Sequence, residues 1–130
     1  MKNLRGIRGA ITVSKNSKSE IVSSTLILLR KLFQVNGINI DDVASVIFSV
    51  TGDLNAEFPA IAARKLGWLY TPLLCTYEID VPGSLKKCIR VLMHVNSSKP
   101  QSRMKHVYLR GAMKLRPDLK EIKKGLYYLS

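Results

Sequence analysis

The sequence has few cysteines, histidines and acidic residues, and each shortage excludes a class of protein. Its 130 residues include two cysteines, two histidines and nine acidic residues. Cys75 and Cys88 flank a turn, and no secretory feature accompanies them, so we expect both to be reduced thiols in a cytoplasmic protein. Neither their spacing nor the two histidines supports a zinc site.

Long hydrophobic runs are also missing. The longest apolar runs are far too short to cross a bilayer. Arg5 and Arg8 interrupt the amino-terminal segment before the apolar region of a signal peptide can develop. Hydrophobic residues still make up 46% of the chain, which is enough for the core of one domain. We therefore expect a single domain that neither spans nor binds a membrane.

Lysine and arginine outnumber the acidic residues by 21 to 9, so the formal net charge is +12. This charge favours anionic partners: nucleic acid, an acidic membrane surface or small polyanions. The cations that crowd the last third are Lys99, Arg103, Lys105, Arg110, Lys114, Arg116, Lys120, Lys123 and Lys124. No aromatic-interleaved motif or glycine-rich phosphate loop accompanies them. We interpret the cluster as a solvated face that attracts anions without defining the function.

Apolar periodicity and turn residues predict strands that alternate with helices. The predicted strands span residues 4–14, 43–50, 68–75 and 85–95, followed by a last β segment at 105–109 and 112–115. One helix, capped by Ser17 or Ser19, runs to about Val35, and a shorter one begins at Phe58–Pro59 and ends at Gly67. The order predicts an α/β (α+β) fold in one small domain, 1–118, with a mixed sheet and helices on one face. Residues 119–130 are predicted to be a helical or mobile tail.

The fourth predicted strand places one arginine inside an apolar run. Alternation assigns Ile89, Val91, Met93 and Val95 to one face, and Cys88, Arg90, Leu92 and His94 to the other. A guanidinium keeps its proton and is costly to bury without an anion, so we expect a negative group near Arg90. The nearest upstream acids are Glu78 and Asp80. Two interpretations stay open: an internal ion pair, or an anionic ligand held between Arg90 and Glu78.

The sequence offers no recognisable nucleophile for catalysis. Nothing resembles a nucleophile elbow, and His94 and His106 have no evident catalytic partner. Arg8, Arg90 and Arg116 are instead an unusual set of arginines near apolar strand residues. Together with one carboxylate, they are suited to a pocket for a dianion that contains no nucleophile or metal.

Several motifs together resemble one enzyme family. They are Arg5-Gly6-Ile7-Arg8-Gly9-Ala10, Phe58-Pro59-Ala60 with Arg64, Cys75 with Glu78 and Asp80, residues 85–91, residues 106–109, and Leu115-Arg116-Pro117-Asp118. In order and spacing they resemble the small monofunctional chorismate mutases of the trimeric AroH class. The resemblance implies a homotrimer of pseudo-α/β-barrel form with active sites at the subunit interfaces. It also implies the cofactor-free, pericyclic isomerisation of chorismate to prephenate in the shikimate pathway of aromatic amino-acid biosynthesis.

The resemblance further implies the roles of the site residues. Arg90, Glu78 and Arg8 would be the catalytic set, with Arg90 facing the ether oxygen on which negative charge develops. The substrate-binding residues would be Arg8, Phe58, Ala60, Arg64, Leu73, Leu74, Cys75, Glu78, Arg90, Tyr108, Leu115 and Arg116. Of these, Phe58, Ala60 and Arg64 would come from the neighbouring subunit. No metal, cofactor, nucleic acid or membrane is expected to take part.

Two positions depart from the family pattern. Ile61 stands where lysine is common and Leu74 where threonine is common. We therefore expect these differences to change the Michaelis constant rather than to abolish the reaction.

Two other functions stay open. An anion- or RNA-binding module would suit the basic last third but would not need Glu78. A trimeric enamine or imine deaminase would retain an arginine but explains few of the motifs.

Overall fold

The computed structural model describes residues 1–116 and 127–129, and in them it shows one mixed sheet with two α-helices. The strands are β1 (Asn3–Thr12), β2 (Val43–Val50), β3 (Leu73–Tyr77), β4 (Cys88–Ser97), β5 (His106–Leu109) and β6 (Tyr127–Leu129). The helices are α1 (Lys18–Asn36) and α2 (Ala60–Lys65), with short 3-10 segments at Ile40–Asp42, Gln101–Arg103 and Arg110–Leu115. The predicted α/β class, with a mixed sheet in a single small domain, is confirmed.

The strand order across the sheet is β3-β2-β4-β1-β5-β6. The central strand β4 runs antiparallel to β1 on one side and to β2 on the other. The outer pairs, β2 with β3 and β1 with β5, are parallel. Strand β4 is therefore held by ladders of hydrogen bonds along both edges, whereas β3 is an edge strand with one neighbour.

Helix α1 covers one face of the sheet. Ser17 caps it, because its side-chain oxygen accepts a hydrogen bond from the backbone N–H of Glu20 at 3.2 Å. Leu28 and Leu32 are fully buried and press on β1 so closely that a Cβ atom at Gly9 would lie 3.0 Å from Leu32 Cδ1. The face of the sheet that contains Gly9 is therefore the core face.

The predicted alternation along β4 is confirmed. Ile89, Val91, Met93 and Val95 are at most 3% exposed and belong to the main apolar cluster. By the same alternation, the opposite side of the sheet carries Arg8 and Ala10 of β1, Ile47 of β2, Leu74 of β3, Arg90 and Leu92 of β4, and Tyr108 of β5. We call this side the open face, because neither α1 nor α2 packs against it.

Three predicted elements differ from the structure. Strand β3 begins at Leu73 rather than residue 68, because Trp68 is buried and stacks on Phe33 of α1 with ring centroids 5.0 Å apart. Strand β4 spans Cys88–Ser97 instead of 85–95. Residues 112–115 were predicted to extend a β segment, but the chain leaves the strand at Arg110, whose φ is +56°, and forms a 3-10 helix.

The predicted tail lies mostly outside the described residues. Within the predicted range 119–130, residues 127–129 form β6, which pairs in parallel with β5 rather than forming a helix. The rest of the tail and the domain boundary at residue 118 lie outside the part of the chain that the structure describes.

Candidate active site

Arg90 lies in the middle of β4, between Ala10 of β1 and Ser49 of β2. Its Nε atom is 3.2 Å from Oε1 of Glu78, and both side chains are 23% exposed. Glu78 follows directly after β3, where its backbone N–H donates to the carbonyl oxygen of Val50 at 2.8 Å. The structure therefore contains the ion pair that the sequence predicted as one of two alternatives, with Glu78 rather than Asp80 as its acid.

This ion pair leaves hydrogen-bonding capacity unused. Within the described part of the chain, Nε of Arg90 is buried and makes no hydrogen bond, although it lies 3.2 Å from Oε1 of Glu78. A guanidinium carries five N–H donors in a planar fork, and an unsatisfied buried donor is unfavourable. The arrangement therefore suits an additional oxygen acceptor, so the ion pair and a ligand are compatible.

Arg90 borders a small apolar cluster on the open face. Tyr108, Ala10, Cys88 and Ala112 are each at most 2% exposed, and Leu115 packs against them. Burial raises the pKa of the Cys88 thiol to about 11, although the positive charge of Arg90 opposes this shift. Cys88 is therefore a protonated thiol at neutral pH, and its structural role is to pack beside the guanidinium.

The positive charges of Arg8 and Arg116 both act on His106. The backbone N–H of Arg8 donates to Nδ1 of His106 at 2.9 Å. Burial lowers the pKa of His106, and the positive charges of Arg8 and Arg116 lower it further. The structure thus brings Arg8 and Arg116 within electrostatic reach of one ring, at the end of β5 that leads to Tyr108.

The remaining predicted residues gather around α2 and the edge strand. Burial raises the pKa of the Cys75 thiol, while a hydrogen bond from the backbone N–H of Ala60 and the charge of Arg64 act in the opposite direction. Phe58, just before α2, is 65% exposed. Phe58 and Cys75 line a cleft of about 310 Å³ together with Lys18, Pro59 and Tyr77.

The predicted site residues therefore fall into two groups. The open-face group is Arg8, Glu78, Arg90, Tyr108, Leu115 and Arg116, and the helix-side group is Phe58, Ala60, Arg64, Leu73 and Cys75. Cys75 pairs with Phe48 and packs against the core beneath the helices, whereas its neighbour Leu74 is 61% exposed on the open face. Because the sheet separates the two groups, one chain does not bring them into a single pocket.

The two departures from the family pattern occupy different surroundings. Ile61 is partly buried against the main core, beside Val22 and Leu26 of α1. An apolar side chain is therefore well accommodated there. Leu74 instead adds apolar surface to the open face.

Sequence reasoning missed two residues that support the strand of Arg90. Asp53 accepts hydrogen bonds from the backbone N–H of Lys87 at 3.0 and 3.2 Å and from the hydroxyl of Thr51 at 2.5 Å. The same Thr51 hydroxyl oxygen accepts from the N–H of Cys88 at 3.0 Å. These bonds fix the start of β4 beside a cleft of about 730 Å³ that Glu78 also lines. The Thr-Gly-Asp turn was a usable signal, because such side chains often bond to nearby backbone groups.

Two broader expectations concern membranes and metals. Among the described residues, no helix combines the length and hydropathy that crossing a bilayer requires. The same residues contain no group of three or more histidine, cysteine, aspartate and glutamate side chains placed to hold a metal ion.

The fold and these side chains define a class: a small α/β domain whose candidate site residues, arginines among them, lie on both sides of one sheet. The chain belongs to the chorismate mutase type I family, whose model matches residues 4–119. The predicted resemblance is therefore confirmed.

Individual relatives agree with this assignment. Over 117 residues the chain is 49% identical to chorismate mutase AroH of Bacillus subtilis (strain 168), a match that covers 89% of this chain and 92% of that protein. It is 51% identical, also over 117 residues, to chorismate mutase AroH of Thermus thermophilus, covering 89% and 96%. The solved chorismate mutase of Clostridium thermocellum superposes with a TM-score of 0.83 at 58% identity, covering 84% of this chain and 97% of that one.

Proposed function

We propose that this chain is a chorismate mutase, an isomerase that converts chorismate to prephenate in aromatic amino-acid biosynthesis. The observation that carries the proposal is the buried Nε of Arg90, a fixed cationic donor without a hydrogen-bond partner in the described chain. Family membership and relatives about half identical along most of the chain support the same reaction.

The reaction needs charge stabilisation rather than a nucleophile. In this intramolecular rearrangement a carbon–oxygen bond breaks while a carbon–carbon bond forms, and partial negative charge develops on the ether oxygen. Arg90 stabilises that oxygen more in the transition state than in the ground state, which is the condition for faster turnover. Removing a donor of this kind typically costs about 10²–10³-fold in kcat.

The other open-face residues orient the substrate around Arg90. Glu78 is at 3.2 Å from Arg90, where its carboxylate accepts a hydrogen bond from the ring hydroxyl and restrains the guanidinium. Arg8, with help from Tyr108, binds the side-chain carboxylate, and Leu115 and Arg116 close the site. Holding the reacting carbons together in a compact conformer removes part of the entropic barrier.

The helix-side group completes the site from a second copy of the chain. Phe58, Ala60 and Arg64 cover the ring, while Leu73 and Cys75 contact it through β3. Leu74 contacts it from the open face of the same strand. Exposed large apolar side chains concentrate here: Phe58, Leu69, Tyr70, Leu74, Tyr77, Ile79 and Val81. Such a surface is typical of a protein interface. We therefore propose a homotrimer of pseudo-α/β-barrel form, in which each site combines the open-face group of one subunit with the helix-side group of its neighbour.

The proposed setting follows from the same side chains. The substrate is a small dicarboxylate, and the proposed mechanism uses no cofactor. Cys75 and Cys88 are free thiols, which suits the cytoplasm.

The decisive test is turnover of chorismate by the purified protein, followed as loss of the substrate's ultraviolet absorbance. We expect Arg90→Ala to lower kcat by at least about 10²-fold, with the far-ultraviolet circular dichroism and oligomeric state unchanged. Arg30→Ala, which removes an exposed arginine of α1, is the control and should retain full activity. An inactive wild-type protein, or an Arg90→Ala variant with normal turnover, would overturn the proposal.

A further inference from the structure

The 3-10 segment Arg110–Leu115 lies directly over the candidate active site. Its Ala112 is fully buried against Ala10, Cys88 and Tyr108, and Leu115 at its end packs against the same cluster. Arg116 follows immediately and lies close enough to lower the pKa of His106. The path of this segment therefore determines where Leu115 and Arg116 stand relative to Arg90.

The segment begins with a backbone conformation that its residue does not favour. Arg110 has a φ of +56°, in the left-handed region that residues other than glycine rarely adopt. Such a conformation persists where surrounding contacts impose it. In this chain it turns the backbone out of β5 and back across the open face.

Two hydrogen bonds of the Arg110 side chain hold that turn. Its Nη1 atom donates to the backbone carbonyl oxygen of Thr12 at 3.1 Å and to the hydroxyl oxygen of Ser24 at 3.0 Å. Thr12 ends β1, and Ser24, only 3% exposed, belongs to α1. One guanidinium thus ties the start of the covering segment to both the sheet and the helix behind it.

A third contact fixes the next residue. The backbone N–H of Gly111 donates to Oγ1 of Thr12 at 2.9 Å. A Cβ atom at Gly111 would lie 3.0 Å from that oxygen and 3.1 Å from Cγ2 of the same side chain. Any other residue at this position would require Thr12 to shift by a few tenths of an ångström.

We infer that Arg110 is a positioning residue for substrate binding: through Thr12 and Ser24 it sets the path that places Leu115 and Arg116 over the bound substrate. This inference rests on the proposed function, because the roles of Leu115 and Arg116 belong to that proposal. Arg110 itself does not contact the reacting atoms. Its removal should therefore weaken binding while leaving the charge stabilisation by Arg90 intact.

Steady-state kinetics distinguish a positioning role from a merely structural one. For Arg110→Gly, which relieves the backbone strain and deletes both bonds, we expect KM to rise about tenfold, as for the loss of a charged hydrogen bond. We expect kcat to change by less than about twofold, since the transition-state contacts remain. A lower melting temperature with an unchanged KM would overturn the inference.

Two further substitutions, Ser24→Ala and Arg110→Lys, test the hydrogen bonds of the Arg110 side chain. Ser24→Ala removes one acceptor on α1, so KM should rise about threefold. In the double variant with Arg110→Gly, KM should equal that of Arg110→Gly alone, because the two residues act through one bond. Arg110→Lys, which can retain one bond, should give an intermediate KM. Additive effects of Ser24→Ala and Arg110→Gly would contradict the shared anchor.

The control for loss of charge is Arg103→Ala, an exposed arginine in the segment Gln101–Arg103. A KM increase equal to that of Arg110→Gly would show that net charge, and not the anchor, sets affinity, and would overturn the inference. An active wild-type protein whose KM is insensitive to Arg110 would refute the inference while leaving the proposed function in place. An inactive wild-type protein would overturn both.

Discussion

The open-face and helix-side groups occupy opposite sides of one sheet and differ in what holds them. Arg90 is on a strand paired along both edges, and its side chain is only 23% exposed beside Glu78. Arg64 is in the short helix α2, and Phe58, which is 65% exposed, precedes that helix. Both lie beside the edge strand β3. The proposed charge-stabilising residue is thus on a strand with two neighbours, whereas the proposed covering residues are beside the exposed edge of the sheet.

This difference supports the proposed division of roles between two copies of the chain. Electrostatic stabilisation requires a preorganised donor, and a strand with two neighbours supplies it within one subunit. Covering the substrate requires apolar surface that excludes water, and the exposed apolar side chains of residues 58–81 become useful once a second subunit covers them. The open-face group forms in one chain, and the proposed complete site combines it with the helix-side group of a second chain.

The largest expected effect comes from mixing variants of the two groups. Arg90→Ala and Arg64→Ala should each lose most activity when each variant is assembled alone. When the two are co-expressed or refolded together, sites that combine an intact open-face group with an intact helix-side group should form. Random assembly would restore about a quarter of the wild-type sites, since each group is intact in half of the subunits.

A second mixture tests whether the recovery reflects shared sites. Arg90→Ala mixed with Glu78→Ala, two variants of the same open-face group, should recover no activity. No recovery in the first mixture would show that both groups act within one subunit, and recovery in this control would show that Arg90 and Glu78 are supplied by different subunits, against the grouping proposed above. Turnover per mole of subunit, measured before and after mixing, is the observable.

The next effect concerns the ion pair that holds Arg90. Glu78→Gln keeps the shape of the side chain but removes its charge, so we expect kcat/KM to fall roughly 10–100-fold, the range for a hydrogen bond to a charged group. Asp80→Asn is a matched control, because Asp80 is the other nearby acid and is exposed. Equal losses in the two variants would mean that general negative charge, and not the Glu78–Arg90 pair, matters.

A smaller effect is expected where the turn before β4 supports the same strand. Thr51→Val removes the hydroxyl that accepts from Cys88 and donates to Asp53. We expect the free energy of unfolding to fall by about 1–3 kcal/mol, because a buried N–H loses its acceptor. Thr76→Val on the edge strand, where the side chain is exposed, should be close to neutral in the same urea titration. A neutral Thr51→Val would remove this turn from the support of Arg90.

The sequence predicted the two groups unequally well. The alternation along β4 was readable because an apolar strand has a period of two, so the position of Arg90 on the open face followed directly. The start of β3 was not readable, because Trp68 belongs to the core through a contact with Phe33, 35 positions away in the chain. Local patterns do not encode such long-range packing.

The turn at Arg110 shows the same limit. The sequence Ala-Met-Lys-Leu at 112–115 suits a strand, but the left-handed conformation of Arg110 is held by acceptors from Thr12 and Ser24. The separation of the two groups by the sheet also required the strand order, which places β3 at an edge. The resemblance implied which residues act, and the structure places them on two sides of the sheet, which supports the proposed site between two chains.

The smallest expected effect is a pH dependence of the free energy of unfolding, and it comes from His106 on the open-face side. His106 has a lowered pKa in the folded protein, because burial and the charges of Arg8 and Arg116 disfavour its protonated form. Below the ordinary value of 6.5, the unfolded chain therefore binds a proton that the folded chain does not, so the free energy of unfolding falls as the pH decreases. Above that value the effect disappears, since both states are neutral.

Replacing the ring tests this linkage directly. In His106→Asn the amide oxygen can take over the hydrogen bond from the N–H of Arg8, now 2.9 Å from Nδ1, but the side chain does not titrate. Urea titrations between pH 5 and 7 should therefore show a shallower pH dependence for the variant than for the wild type. A bound dicarboxylate should also reduce the wild-type dependence, because its charge offsets Arg8 and Arg116 and raises the pKa of His106. Identical slopes for wild type and variant would mean that the ring does not sense these two arginines, and would weaken their assignment to one carboxylate-binding end of the open-face group.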